Sequence, residues 1–360
     1  MNTLLIDKTD ITEALVDDDC TILRPDDDRW LDFITAHPDT TIFHHPAWMH
    51  VISRTYGYHA FVIAVCNAEG EILAGLPMMD VSTTLRRHHW VSLPFTDYCN
   101  PLSRDAGSLE RLTTCLTSFY YKGTAPRIEL RWAFPCQQEM QTCSNYVLDT
   151  IALSTDADQV AWRFDRVHRQ NTRAAVEKNV RIERGDQCEH LRLFYQLQLE
   201  TRRRHGLPTQ PQRFFDLLAD RLFQQGLGFV LLAYKGDECL AGLVLLRWKQ
   251  SLIAKYAASK KCTLSLRPNN LLFWDAIKWG CNNGYKVFDI GRSHIENEGL
   301  RRYKRGWGAR EFPLSYSVLP TAPARPRVSR VVEKIAQTII RRSPVWVCRL
   351  SGELFYQHLA

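Results

Sequence analysis

The sequence lacks most of the features that would classify it at once. No apolar run reaches the roughly 18 residues that a bilayer-spanning helix needs. The first ten residues hold neither a basic n-region nor a long apolar core, so no secretory leader is expected. There is no HExxH, GxSxG, Walker or GxGxxG pattern, which removes the local signatures of zinc proteases, serine hydrolases, P-loops and dinucleotide folds. The eleven cysteines include no CxxC pair, and the closest two, Cys136 and Cys143, do not match zinc spacing. These absences predict a cytoplasmic protein with reduced thiols and no bound metal.

What is present is charge, unevenly spread. Residues 1–40 hold eleven acids against three bases, while residues 163–213 hold twelve bases against six acids. The last forty residues hold seven bases and two acids. Basic segments fit an anionic partner such as phosphates, tRNA or an acidic lipid surface, or they are solvated helix faces. With 360 residues the chain can bury two separate cores.

An internal repeat gives those two cores a shape. Residues 61–65 (FVIAV) and 71–76 (EILAGL), joined through Glu69-Gly70, read as a hairpin. Residues 229–233 (FVLLA) and 238–243 (ECLAGL), joined through Lys235, Gly236 and Asp237, read the same way about 167 residues later. The pairs Ala74-Gly75 and Ala241-Gly242 fall at equivalent places, and a strand glycine marks a bulge or a close approach of other groups. In each half a third strand (90–93, 252–257), a loop, a helix (108–121, 269–282) and a closing strand (127–132, 286–290) follow in the same order. The expected fold class is α/β: two tandem mixed-sheet domains with flanking helices. The expected divisions are an acidic segment 1–20, domains over 21–155 and 156–320, and a basic amphipathic tail over 321–360.

Between the halves, Arg166, Arg169 and Arg173 share one face of a predicted helix over 162–179, and further helices follow over 191–205 and 211–225. In the tail, Pro320, Pro323 and Pro326 form a linker. Val332, Ile335 and Ile339, then Trp346, Leu350, Leu354 and Phe355, make an apolar stripe among arginines. Such a segment either packs back on the body or lies on a membrane surface.

The chemistry concentrates in the second half. Asn269, preceded by Pro268, is a good N-cap, so the helix after it would present free N–H groups and its positive end to an anion, with Arg267 adding charge. Asp289 ends an apolar strand, where partial burial can poise a carboxylate. Tyr303, Lys304 and Arg305 precede two glycines that flank Trp307. Lys255 and Tyr256 point to opposite faces of their strand, so at most one faces a ligand. In the first half, residues 94–98 (PFTDY) occupy the equivalent loop.

At these residues the sequence resembles the FemAB-like acyltransferases of the GNAT acetyltransferase superfamily. The similarity lies in residues 43–48 (FHHPAW), 56–58 (YGY), 92–98 (SLPFTDY), 168–173 (HRQNTR), 200–206 (ETRRRHG), 255–259 (KYAAS), 267–270 (RPNN) and 301–308 (RRYKRGWG). It spans about residues 40–320, and members that accompany exopolysaccharide and protein-sorting systems look nearest. The resemblance implies two tandem GNAT domains and transfer of an acyl or aminoacyl group to an amine on a cell-envelope acceptor. It implies no resident cofactor, with acyl-CoA or aminoacyl-tRNA as co-substrate. The usual acyl-CoA turn is replaced by Arg267-Pro-Asn-Asn, and the long coiled-coil arm of tRNA-using members is missing.

On that reading Asp289 is the base or an orienting partner, Tyr256 and Tyr303 position the acceptor or relay a proton, and Lys304 or Arg301 supplies positive charge. Arg267, Asn269, Asn270, Arg292 and Trp307 complete the binding site. Two other readings stand beside it. One is a non-catalytic module that holds a nucleotide-sugar or lipid-linked glycan, favoured if Tyr256, Asp289 and Lys304 diverge. The other is an RNA-binding protein using Arg166, Arg169, Arg173 and Arg202–Arg204. The tail leaves open a peripheral contact with the inner membrane.

Overall fold

The expected hairpins form in the computed structural model, which describes residues 20–83, 86–125, 127–135, 140–319 and 337–359. The acidic residues 1–19 and most of the tail's stripe before Gln337 lie outside the described residues. The chain divides into two units, Met1–Cys143 with Ser315–Pro323, and Ser144–Leu314 with Ala324–Ala360.

The first unit runs β1 (Thr21–Leu23), α1 (Asp28–Ala36), α2 (Pro46–Tyr56), β2 (His59–Cys66), β3 (Ile72–Thr83), β4 (Arg86–Val91), β5 (Leu102–Ser103), α3 (Ala106–Tyr121) and β6 (Ile128–Leu130). Its strands lie in the order β1-β2-β3-β4-β6, antiparallel except for the parallel pair β4–β6. The second unit takes up β7 (Gln141–Ala152) and continues through α4 (Ala157–Ala161), α5 (Arg166–Glu177), β8 (Arg181–Gly185), α6 (Cys188–His205) and α7 (Gln212–Leu218). Then come β9 (Gly228–Lys235), β10 (Glu238–Trp248), β11 (Ser251–Ser259), α8 (Pro268–Asn282), β12 (Val287–His294), α9 (Glu298–Arg305) and, after a last shared strand β13 (Arg310–Leu319), α10 (Val345–Phe355). Its strands lie in the order β7-β12-β11-β10-β9-β8, antiparallel except for β11–β12.

The repeat is therefore real at the level of pairing. In both units a hairpin and a third antiparallel strand are followed by a crossover helix and a strand parallel to the third. The two strand glycines have one physical reason. A Cβ on Gly75 would lie 2.7 Å from the Trp30 ring of α1, and one on Gly242 would lie 2.8 Å from the Phe194 ring of α6. In each unit an aromatic side chain from a helix fills the space that a side chain would need.

Three sequence expectations change. The basic stretch 162–179 does not start as helix at Trp162: α4 ends at Ala161 and Asp165 caps α5, its carboxylate accepting the His168 N–H at 2.8 Å. The predicted helix 211–225 is α7 continued by a π-helical turn, Ala219–Phe223. The thiols are not all reduced, because Cys20 and Cys115 are joined in a disulfide that ties β1 to α3.

Two buried histidines in the first unit make its stability pH-dependent. His44 Nδ1 accepts the Thr41 N–H at 3.0 Å and its Nε2 donates to the Asn100 carbonyl at 2.8 Å. His45 Nδ1 accepts the Ala47 N–H at 3.1 Å as the cap of α2. Burial pushes both imidazoles down to about 4. Unfolded imidazoles titrate near their ordinary value, so between pH ~6.5 and ~4 the unfolded chain binds protons that the folded chain excludes. Stability is complete above that window and falls as pH drops through it, by up to about 1.4 kcal/mol per pH unit for each group. Thermal midpoints should decline from pH 7 to 4.5, with the decline reduced in His44→Gln relative to its own neutral-pH value. A pH-independent midpoint would refute this.

Candidate functional site

Helix α8 carries the chain from β11 to its parallel neighbour β12. It is apolar nearly all round because it is buried: Leu271, Leu272, Ala276 and Ile277 pack on Leu231, Leu243, Leu245 and Leu252. The β11–β12 ladder has three rungs, Ser251↔Val287, Leu252↔Phe288 and Ile253↔Asp289, and ends there. Both strands are irregular where they part. The register of β10 on β11 shifts at Val244/Leu245, opposite Lys255, and that of β12 on β7 shifts between Asp289 and Arg292, where Gly291 has φ 78°. Bulges bend and re-aim strands, and a crevice at the carboxyl ends of parallel strands is where open α/β sheets take ligands.

At the mouth of this crevice the cap of α8 is Arg267, not Asn269 as the sequence suggested. Proline suits the first helical position, since its missing N–H would have had no partner there and its φ is already helical. That moves the cap two residues back, from Asn269 to Arg267. Arg267 takes a left-handed backbone, φ 57° and ψ 36°, which costs a non-glycine residue about 1 kcal/mol or more. Its exposed guanidinium makes no hydrogen bond or ion pair with any described residue. The Asn269 amide reaches Ser259 Oγ at 3.4 Å. The Ser259 carbonyl is held by Thr201 Oγ1 at 3.0 Å and by the Arg204 guanidinium at 2.9 Å, both from α6.

The Asn270 amide turns inward, to Nδ1 of His168 on α5 at 3.0 Å. His168 is buried and its Nε2 lies 2.9 Å from the Tyr303 carbonyl of α9. A carbonyl only accepts, so Nε2 carries the proton and Nδ1 accepts from the amide. The Trp307 ring stacks on this imidazole at 4.4 Å and on Phe273 at 5.7 Å, with Phe164 edge-on at 5.0 Å. Burial raises the Tyr303 phenol above its ordinary range, which keeps it protonated. In the sequence His168 carries no functional mark, since a single histidine in a basic helix has no periodicity to set it apart.

Lys304 is buried and paired. Its Nζ donates to Asp149 Oδ2 at 2.9 Å and to the Gly291 carbonyl at 2.7 Å, and Ser293 Oγ donates to the same Asp149 oxygen at 2.7 Å. Asp149 has no exposed surface and was not anticipated, because its strand β7 lies 155 residues away in sequence. Asp289 accepts the Gly291 N–H at 2.7 Å. Asp289 and Lys304 thus grip the N–H and the carbonyl of one residue, Gly291, at the bulge. Arg301 makes a two-pronged pair with Glu311, at 3.0 and 2.7 Å, and a further contact with Glu298 at 3.2 Å. The Arg301 guanidinium holds the Glu311 carboxyl below its ordinary range. Arg292 lies over the Tyr146 ring at 4.3 Å.

These side chains divide between the two sides of the sheet. Leu252, Phe288 and Ile151 belong to the core under α8, together with Tyr303 and Trp307. Asp149, two residues before Ile151, shares that side, and so does the Lys304 ammonium bound to it. Asp289 follows Phe288 and faces the other side, and Tyr256 lies there too, edge-on to Phe214 and Phe215 of α7 at 5.9 Å each. The β11–β12 opening joins the two sides. No cluster of metal-ligating side chains occurs among the described residues.

Residues 163–305 match the model of the acetyltransferase (GNAT) domain family. Among solved structures, FemX is similar with a TM-score of 0.64 and 15% identity, over 81% of this chain and 95% of that one. L-PGS from Bacillus licheniformis is similar with a TM-score of 0.55 and 13% identity, over 89% and 99%. A tandem GNAT protein from the clavulanic acid biosynthesis pathway gives 0.50 and 9%, over 85% and 99%. No curated protein matches.

Proposed function

We propose, from the match of residues 163–305 to the acetyltransferase (GNAT) domain model, that the chain is an N-acyltransferase. It moves an acyl or aminoacyl group to an amine on a cell-envelope or exopolysaccharide-related acceptor. The observation that carries this reading is the parting of β11 and β12 after Ile253↔Asp289, with Arg267, which has no partner among the described residues, at the mouth of the opening. The likeness to FemX and to L-PGS from Bacillus licheniformis supports an aminoacyl donor. The likeness to the tandem GNAT protein of the clavulanic acid biosynthesis pathway, a structure without AcCoA, supports an acyl-CoA. Either donor is an acyl group on a phosphate-bearing carrier.

Arg267 and the start of α8 hold the carrier's phosphates, and the acyl carbonyl enters the opening between the strands. The amine attacks from the α6–α7 side: a C–N bond forms, the carrier C–S or C–O bond breaks, and the amine proton passes to Asp289 and on to the leaving group. Tyr256 lines that side and positions the acceptor. Alignment of the two reactants supplies most of the acceleration. Lys304 and Arg301 are already neutralised by Asp149 and Glu311, so they shape the Gly291 bulge and α9 and do not meet the oxyanion.

The test is transfer of labelled acyl groups from acyl-CoA and from aminoacyl-tRNA to amine acceptors, beside thermal-shift titrations with the same donors. Transfer from one donor class is expected. Donor binding with no transfer would overturn the proposal in favour of a non-catalytic binding module. Arg267→Gly separates charge from backbone. It should weaken the donor about tenfold, the worth of one screened phosphate contact. It should also raise unfolding stability by about 0.5–1 kcal/mol, because glycine takes the left-handed backbone without strain. Loss of stability in this variant would show that Arg267 serves the fold.

A further inference from the structure

Helix α10 is mounted the wrong way round for a packing element. Its buried side carries small residues, Cys348 and Gly352. Cys348 Sγ lies 3.4 Å from the Leu207 carbonyl, and a Cβ on Gly352 would sit 2.1 Å from the Thr209 carbonyl oxygen. Its outer side carries the large apolar residues: Trp346, Leu350 and Leu354, at i, i+4 and i+8, are 63%, 48% and 51% exposed. A helix held to the body by a glycine and a cysteine while a tryptophan and two leucines face outward buries little by folding back.

The surroundings of that face are basic. Arg341, Arg342 and Arg349 are exposed on or beside it, and Glu353, the only acid in residues 337–358, accepts the Gln212 N–H at 3.2 Å. The end of α6 adds Arg202, Arg203 and Arg204. Arg203 bonds the Ser343 carbonyl at 3.2 Å and Arg341 bonds the His205 carbonyl at 3.3 Å, so the α6 end and the tail are tied together. Burial, with the positive field of Arg204, Arg202 and Arg341 added to it, lowers the His205 imidazole.

We infer that this face docks on an anionic phospholipid surface, with Trp346, Leu350 and Leu354 entering the acyl boundary and the arginines meeting headgroup phosphates. A second copy of the chain would bring like charges together around the same face, whereas an anionic bilayer complements both its apolar centre and its basic rim. This goes beyond the transfer reaction and does not depend on it. It would place the enzyme where a membrane-borne acceptor is met.

The experiment is flotation of the full chain with vesicles of phosphatidylcholine alone and of phosphatidylcholine containing phosphatidylglycerol. The chain should float with the anionic vesicles, and added salt should release it. The double variant Leu350→Ser, Leu354→Ser should cut the bound fraction at least about tenfold, since two leucines leave the apolar phase. Arg342→Gln with Arg349→Gln should cut it several-fold, about one headgroup contact each. Both variants change exposed residues and should melt as the parent does. Absence of flotation with anionic vesicles, or equal flotation of parent and leucine variant, would overturn the inference. So would a dimer in sedimentation velocity that the leucine variant abolishes without any vesicle binding by the parent.

Discussion

Lys304→Met is expected to destabilise the second unit by about 3–5 kcal/mol, because it strands the Asp149 carboxylate in the core. Asp149 has no exposed surface, and its Oδ2 relies on Lys304 and Ser293. The sequence alone offered Lys304 as a source of positive charge for the reaction. The buried pair changes that expectation: any loss of turnover will come with a loss of folded protein. The double variant Lys304→Met, Asp149→Leu removes both charges at similar volume and should recover much of the loss. Urea unfolding of the parent, the two single variants and the double variant closes the cycle. A Lys304→Met protein as stable as the parent would mean that the ammonium is free, and would return Lys304 to the list of catalytic cations.

His168→Ala should cost about 2–4 kcal/mol. Three losses combine: the Asn270 amide and the Tyr303 carbonyl lose a buried partner, and Trp307 loses one of its two stacking neighbours. The imidazole joins α5, the first turn of α8 and α9, so the substitution should also loosen the helix start beside Arg267. The expected kinetic signature is a raised KM for the donor with a smaller change in kcat, measured below the melting temperature of the variant. His168→Gln can keep one hydrogen bond but not the stack, and should fall between. If kcat falls as much in His168→Gln as in His168→Ala while KM stays fixed, the imidazole takes part in the chemistry itself.

The reach and the limits of sequence reading have specific causes here. The Ala74-Gly75 and Ala241-Gly242 hairpins were legible because strand alternation and a turn glycine are local patterns. The start of α8 was legible to within two residues, and the miss came from weighing asparagine as a cap above proline as a first helical residue. The cysteines were misread in part because the Cys20–Cys115 pair spans 95 residues. The roles of Lys304 and Arg301 were not legible at all. A run of bases such as residues 301–305 looks like an unpaired cationic loop until Asp149 and Glu311, supplied by other strands, are seen against it.

By itself, then, the sequence determined the two-fold repeat, the type and order of its elements and the segments in which charged and aromatic residues gather. Those follow from short-range periodicity, turn residues and composition. Only the tertiary structure decided which of those charges remain available. Ion pairing and burial depend on contacts between residues far apart in the chain, so Lys304 became a buried clasp, Arg301 a carboxylate-bound strut and Arg267 a cation without a partner among the described residues. It also decided which side of α10 faces outward, since a glycine pressed against the Thr209 carbonyl leaves that helix no other way to sit.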